Sequence, residues 1–190
     1  MIKIAIFASG SGSNAENIIN YFAKNESIEI SLIVSNKKDA FVLERAQKKG
    51  IKSVVFSKSD FENSNKVIDC LKENEIDFIV LAGFLLKVPA NLLKDYPNKI
   101  INIHPALLPK FGGKGMYGDN VHKAVIEAKE KESGITIHYI NGNYDEGATI
   151  FQAKCLVEPE DTYEDIAKKV HTLEYTHFPI IIEKVLKDTF

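Results

Sequence analysis

Ile2-Lys3-Ile4-Ala5-Ile6-Phe7-Ala8-Ser9-Gly10-Ser11-Gly12-Ser13-Asn14 opens the chain and decides how the rest is read. Ile2 to Ala8 is a short apolar run, the pattern of a strand buried on both faces of a parallel sheet. A glycine-rich turn follows, and Ala15 to Lys24 then has helical spacing. Strand, glycine turn and helix together form the layout of a phosphate cradle. Glycines let backbone N–H groups approach an anion, and the helix N-terminus adds partial positive charge. A plain tight turn between strand and helix has the same letters. Read as G-x-G-x-x-A, the stretch also matches a dinucleotide fingerprint loosely, which expects an acid about 20 residues on at the end of the second strand. That strand, over 28–34, ends in Ser35-Asn36-Lys37-Lys38. Asp39 comes late, as a helix cap or first-turn residue. The pattern favours a single phosphate over a dinucleotide.

Outward from this unit the alternation continues. The spacing predicts a helix over 39–49 closed by Gly50, a strand over 52–56, and an amphipathic helix over 60–74 with Phe61, Val67, Ile68 and Leu71 inward. A fourth strand over 77–82 runs into Gly83-Phe84-Leu85-Leu86-Lys87-Val88-Pro89. Phe84, Leu85 and Leu86 are either core or the wall of a slot for a flat heteroaromatic ligand. A short helix over 89–96 leads to a fifth strand over 99–103. Lys110 to Gly118 is a glycine-heavy loop, read equally as a lid or as plain surface. After a helix over 119–131, residues 134–140 alternate as a half-buried strand. Ile135, Ile137 and Tyr139 share one face there, and Thr136 and His138 the other. A turn over 141–147 and a returning strand over 148–157 follow. The last helix covers 162–186, capped by Asp161 or Thr162, with Pro179 expected to kink or split it. The expected class is α/β: a doubly wound, mostly parallel, Rossmann-like sheet with a late antiparallel hairpin, in a single domain over 1–190.

The chemistry gathers at Ile100-Ile101-Asn102-Ile103-His104-Pro105-Ala106-Leu107-Leu108-Pro109. Asn102 and His104 are two apart, so a strand turns both to one face. Pro105 cannot continue a central strand, which places the pair at the strand's carboxyl end, where open α/β sheets bind ligands. An amide donor and an imidazole there could hold an oxyanion and move a proton. A histidine that merely closes a strand is the alternative. Asp145 lies in a turn rich in Asn, Asp and Gly, where turn chemistry alone accounts for it.

Composition bounds the partners. The 190 residues carry a net charge of −2, with 45% apolar and 26% charged residues. That balance leaves no electrostatic footprint for nucleic acid or an anionic membrane. The two cysteines, Cys70 and Cys155, match no metal or redox spacing and read as small buried thiols. No apolar run is long enough to span a bilayer and no leader pattern is present, so a cytoplasmic location is expected.

SGSGSN, SNKKDAFVLERA, LAGFLLKVP, INIHPALLP, GITIHYINGNYDEG and QAKCLVEPEDT occur in one order over essentially the whole chain. In this the sequence resembles the folate-dependent formyltransferases, and within them the phosphoribosylglycinamide formyltransferases of purine biosynthesis. The resemblance implies formyl transfer from 10-formyltetrahydrofolate to the amine of glycinamide ribonucleotide, without a metal. It implies Asn102, His104 and Asp145 as the catalytic trio, and Gly12, Ser13, Asn14, His171 and Glu174 as contacts of the nucleotide. It implies a folate slot along Leu85, Leu86, Lys87 and Val88, with Asn102, Tyr139 and Asp145. The N-terminal half would then bind the nucleotide and the C-terminal half would complete the folate site, in a monomer or homodimer. The chain departs from some relatives in having Ser64, with Lys66 nearby, where an arginine meets folate. It also has Leu86 where an arginine can stand. Formyltetrahydrofolate hydrolysis, formylation of initiator methionyl-tRNA and a nucleotide-binding module without catalysis are the competing readings.

Overall fold

Short aliphatic and β-branched runs set the strands, and amphipathic segments between them set the helices. The computed structural model describes residues 1–190. In chain order it runs β1 (Ile2–Phe7), α1 (Ser13–Phe22), β2 (Ile28–Ser35), α2 (Val42–Lys48), β3 (Lys52–Val55), α3 (Lys58–Asn63) and α4 (Lys66–Glu73). It continues with β4 (Phe78–Leu81), α5 (Ala90–Asp95), β5 (Ile100–His104), α6 (Asp119–Glu127), β6 (Glu132–Tyr139), β7 (Thr149–Leu156) and α7 (Tyr163–Thr189). The strands follow the order β3-β2-β1-β4-β5-β6-β7 in one seven-stranded sheet. β1 pairs in parallel with β2 and with β4, β2 with β3, and β4 with β5, while β6 and β7 are antiparallel. The doubly wound sheet with its late hairpin is therefore the fold that the alternation predicted.

The chain divides into two compact units, Met1–Asn102 and Ile103–Phe190. In the first, β1 and β4 are fully buried from Ile4 and Phe78 onward, as parallel strands covered by helices must be. Phe7 packs edge-on against Phe61 and Phe84, with ring centroids 5.9 and 5.3 Å apart. Burying an aromatic of this kind contributes roughly 1.5–3 kcal/mol over leaving it exposed. The strand order reverses between β1 and β4, so their carboxyl ends open a crevice. Ser9 stitches that crevice together. Its N–H donates to the Gly83 carbonyl at 3.0 Å, its hydroxyl donates to Asn36 Oδ1 at 2.5 Å, and the same oxygen accepts the Leu85 N–H at 2.9 Å.

In the second unit, α7 packs on β6 and α6. Thr162 caps α7 through a reciprocal capping box with Asp165, as the sequence suggested. The helix then runs unbroken through Pro179 to Thr189. Tyr175 and Thr176, one turn earlier, are exposed, so water can reach the carbonyl whose helical N–H donor the proline removes. The expected split of this helix does not occur.

Other expectations change in detail. Residues 39–41 are outside α2, and Phe41, not Asp39, stands at its N-cap position. The helix predicted over 60–74 is two helices, because Ser64 is extended at φ −148° and ψ 168°. α6 ends at Glu127, four residues before the predicted end. β6 is buried on both faces from Ser133 to His138, whereas the alternation predicted one wet face. Cys70 and Cys155 are half-buried, with burial pushing both thiols above their ordinary value. No helix is long and apolar enough to cross a membrane.

Candidate active site

The glycine turn after β1 is built for close approach. Gly12 adopts φ +70° at the N-cap position of α1, and a Cβ there would lie 2.4–2.8 Å from Val42. Only glycine fits both the left-handed backbone and the contact. The Val42 N–H donates to the Gly10 carbonyl at 3.1 Å, and Arg45 Nε donates to the Ser11 carbonyl at 2.8 Å while its guanidinium pairs with Glu16. α2 thus clamps the turn from outside. Gly12, at the N-cap position, has no side chain to cap the first N–H groups of α1.

The segment after β4 divides its apolar residues between two tasks. Phe84 is half-buried and packs against Phe7 and Phe61 at the edge of the core. Leu85 is 40% exposed, Leu86 is half-buried, Lys87 is exposed and Val88 is buried. A partly exposed leucine pair with its backbone fixed by Ser9 fits a flat, largely apolar ligand. Lys66, the cation near Ser64, is paired with Asp60 at 2.7 Å. With Ser57, that lysine holds the Asp60 carboxyl down at about 2.

In the second unit, the densest chemistry surrounds Asp145. Asp145 sits at φ +56° in the turn after β6. Its Oδ2 lies 3.6 Å from His104 Nδ1 and accepts the Gly113 N–H at 2.9 Å. Its Oδ1 lies 3.7 Å from His138 Nε2. His104 is the last residue of β5 and is buried. Its Nε2 lies 2.8 Å from the Phe111 carbonyl oxygen, which can only accept, so Nε2 carries the proton of that bond. The turn bearing Asp145 is pinned by Gly147, where a Cβ would fall 1.7 Å from the Tyr139 carbonyl oxygen. Thr136 fixes the segment after β5: its hydroxyl donates to the Ala106 carbonyl at 2.7 Å and accepts the Leu108 N–H at 3.0 Å.

Of the predicted site residues, His104 and Asp145 meet as expected, and Tyr139 lies beside them, holding the His138 ring through its carbonyl. Asn102 stands two residues before His104 on β5 and is half-buried. On α7, His171 Nδ1 and Glu174 Oε2 are 2.8 Å apart, with Glu174 buried and His171 about half exposed. The Glu174 hydrogen bond raises the His171 imidazole above its ordinary value. Three participants escaped the sequence reading: His138, the Phe111 carbonyl and the Gly113 N–H. Only His138 left a trace, as a polar residue sharing a strand face with Thr136.

The sequence pattern of the family described as formyl transferase matches residues 2–182. The chain belongs to the formyl transferase family. Within this family it is 39% identical to the chloroplastic phosphoribosylglycinamide formyltransferase of Arabidopsis thaliana, over 98% of the chain and 66% of that relative. It is 37% identical to the phosphoribosylglycinamide formyltransferase of Bacillus subtilis, over 98% of the chain and 95% of the relative. The crystal structure of the Anaplasma phagocytophilum phosphoribosylglycinamide formyltransferase superposes with a TM-score of 0.89 at 33% identity, covering 98% of this chain and 87% of that one. The chain thus spans about two thirds of the plant formyltransferase and nearly all of the Bacillus one.

Proposed function

We propose that this formyl transferase passes the formyl group of 10-formyltetrahydrofolate to the amine of glycinamide ribonucleotide, a step of purine biosynthesis. The observation that carries the reading is the His104–Asp145 pair, an imidazole and a carboxylate 3.6 Å apart at the carboxyl end of a sheet strand. The residues after β4 fit the pteridine of the donor, which supplies an electrophilic carbon when bound. The Gly12, Ser13 and Asn14 turn holds the phosphate of the nucleotide. Leu85, Leu86, Lys87 and Val88 line the folate slot.

Each residue then has a defined task. His104 Nε2–H exchanges the Phe111 carbonyl for the oxyanion that develops as the amine adds to the formyl carbon. Asn102 donates to the same oxygen, a type of contact typically worth ~10²–10³ in rate. Asp145 accepts a proton from the attacking nitrogen, directly or through one water, worth ~10²–10⁴.

The test is deformylation of 10-formyltetrahydrofolate with and without glycinamide ribonucleotide. Loss of the formyl group that requires the amine, with formylated nucleotide as product, is the expected result. Loss without the amine means hydrolysis, and no loss means a binding module.

A further inference from the structure

α2 holds two consecutive carbonyls of the turn that follows β1. The Val42 N–H donates to the Gly10 carbonyl at 3.1 Å, and Arg45 Nε donates to the Ser11 carbonyl at 2.8 Å. Both peptides are trans, so each points its N–H opposite to its carbonyl. The Ser11 amide is therefore turned away from the Val42 N–H, and the Gly12 amide away from the Arg45 side chain. Consecutive N–H groups turned to one side make an anion-binding concavity. Arg45 is half-buried, and its guanidinium is held from two further directions. Nη1 pairs with Glu16 in the first turn of α1, and Cζ sits 4.9 Å from the centroid of the Phe41 ring. The Glu16 carboxylate matches its charge, so Arg45 serves the turn as a hydrogen-bond donor and not as a counter-ion of the phosphate.

We infer that Arg45 is the positioning residue of the nucleotide turn, holding the Ser11 carbonyl so that the Ser11 and Gly12 amides are aimed at the phosphate. The inference rests on the reading of that turn as the phosphate site and adds a residue outside it. Arg45 acts through a main-chain carbonyl and not by contact with substrate. Without its bond the Ser11–Gly12 peptide is free to rotate, and its N–H then leaves the phosphate. Binding of the nucleotide suffers while the chemistry at the formyl carbon does not.

The test titrates the full chain and its Arg45→Met and Arg45→Lys variants with glycinamide ribonucleotide. Met keeps the aliphatic stem and donates nothing, whereas Lys keeps a charged donor for the carbonyl and the carboxylate. Arg45→Met is expected to weaken nucleotide affinity, and to raise the nucleotide KM, by about 10- to 100-fold. Its kcat and its KM for the formyl donor should stay within a few-fold, the pattern of lost ground-state binding. Arg45→Lys should recover most of the affinity. Unchanged nucleotide affinity in Arg45→Met, equal loss for both substrates, or equal loss in both variants makes Arg45 a packing residue and overturns the inference. Amide NMR of the unaltered enzyme decides the case even where Arg45→Met does not fold. The Ser11 and Gly12 amide resonances are expected to move on saturation with the nucleotide, and resonances that stay in place overturn the inference. Failure of the formyl-transfer reading looks different: the unaltered enzyme binds no nucleotide, or binds it and shows no amine-dependent deformylation.

Discussion

The Phe111 carbonyl oxygen lies 2.8 Å from His104 Nε2, and Phe111 holds it there at φ +56°, a conformation rare outside glycine. The donor that an oxyanion needs is thus engaged by the glycine-rich loop. Two residues on, the Gly113 N–H is bonded to Asp145 at 2.9 Å, so the same loop touches both members of the pair. Binding of a formyl donor should break the Phe111 bond. Proton NMR of the His104 Nε2–H should show its resonance move on addition of a non-hydrolysable formyl-folate analogue. An unmoved resonance in the saturated complex contradicts the exchange.

The loop's glycines should be irreplaceable where they meet Asp145. A Cβ at Gly112 would lie 2.6 Å from Leu108 Cδ2 and 3.2 Å from Asp145 Cβ. The leucine tip can turn away, but the Asp145 backbone must shift by tenths of an ångström. Gly112→Ala is expected to lower kcat about tenfold through misplacement of the carboxylate. Its stability should change by less than about 1 kcal/mol. Steady-state kinetics beside a urea titration separate the two effects.

The nucleotide turn offers an internal control. Gly12→Ala forces a Cβ into Val42 at a positive φ, and is expected to destabilise by about 2–4 kcal/mol. A Cβ at Gly10 would have nothing within 4 Å, so Gly10→Ala should be nearly neutral. Calorimetric titration with the nucleotide should show loss of affinity for Gly12→Ala alone.

Much of this was legible in the sequence because parallel strands and glycine turns carry local signals. Ile2 to Asn14 announces strand, turn and helix by itself, and Asn102 and His104 declare their shared face by spacing alone. The break at Ser64 lay in an Asn-Ser-Asn run that the continuing apolar spacing outweighed. The two buried faces of β6 were hidden because Thr136 and His138 look like solvent residues. Each is in fact satisfied by backbone carbonyls, those of Ala106 and Tyr139. The loop's contacts were invisible in principle, since Phe111 and Gly113 act through main-chain groups that every residue has.

Two buried histidines should govern acid stability. Burial lowers both His122 and His138, so the unfolded chain binds more protons near its ordinary imidazole value. Their stabilising contribution is full above pH ~6.5 and is lost as pH falls toward the depressed folded values. His122 Nδ1 is also buried without a hydrogen-bond partner. His122→Leu is expected to be neutral or stabilising by up to about 1 kcal/mol, and to flatten the acid slope. His171, raised by Glu174, works in the opposite sense: its contribution is present below the ordinary value and fades as pH rises through the folded one. Urea midpoints from pH 5 to 8 for the unaltered chain and His122→Leu check the signs.

The most direct measurement is the amine-dependent deformylation rate of Asp145→Asn beside that of the unaltered enzyme. The amide keeps the side chain's shape, and its oxygen can still accept the Gly113 N–H, but it cannot take a proton. The account predicts a fall in kcat of ~10²–10⁴ with an unchanged fold and unchanged nucleotide affinity. Turnover within a few-fold of the unaltered enzyme would remove the carboxylate beside His104 from the reaction and contradict the account.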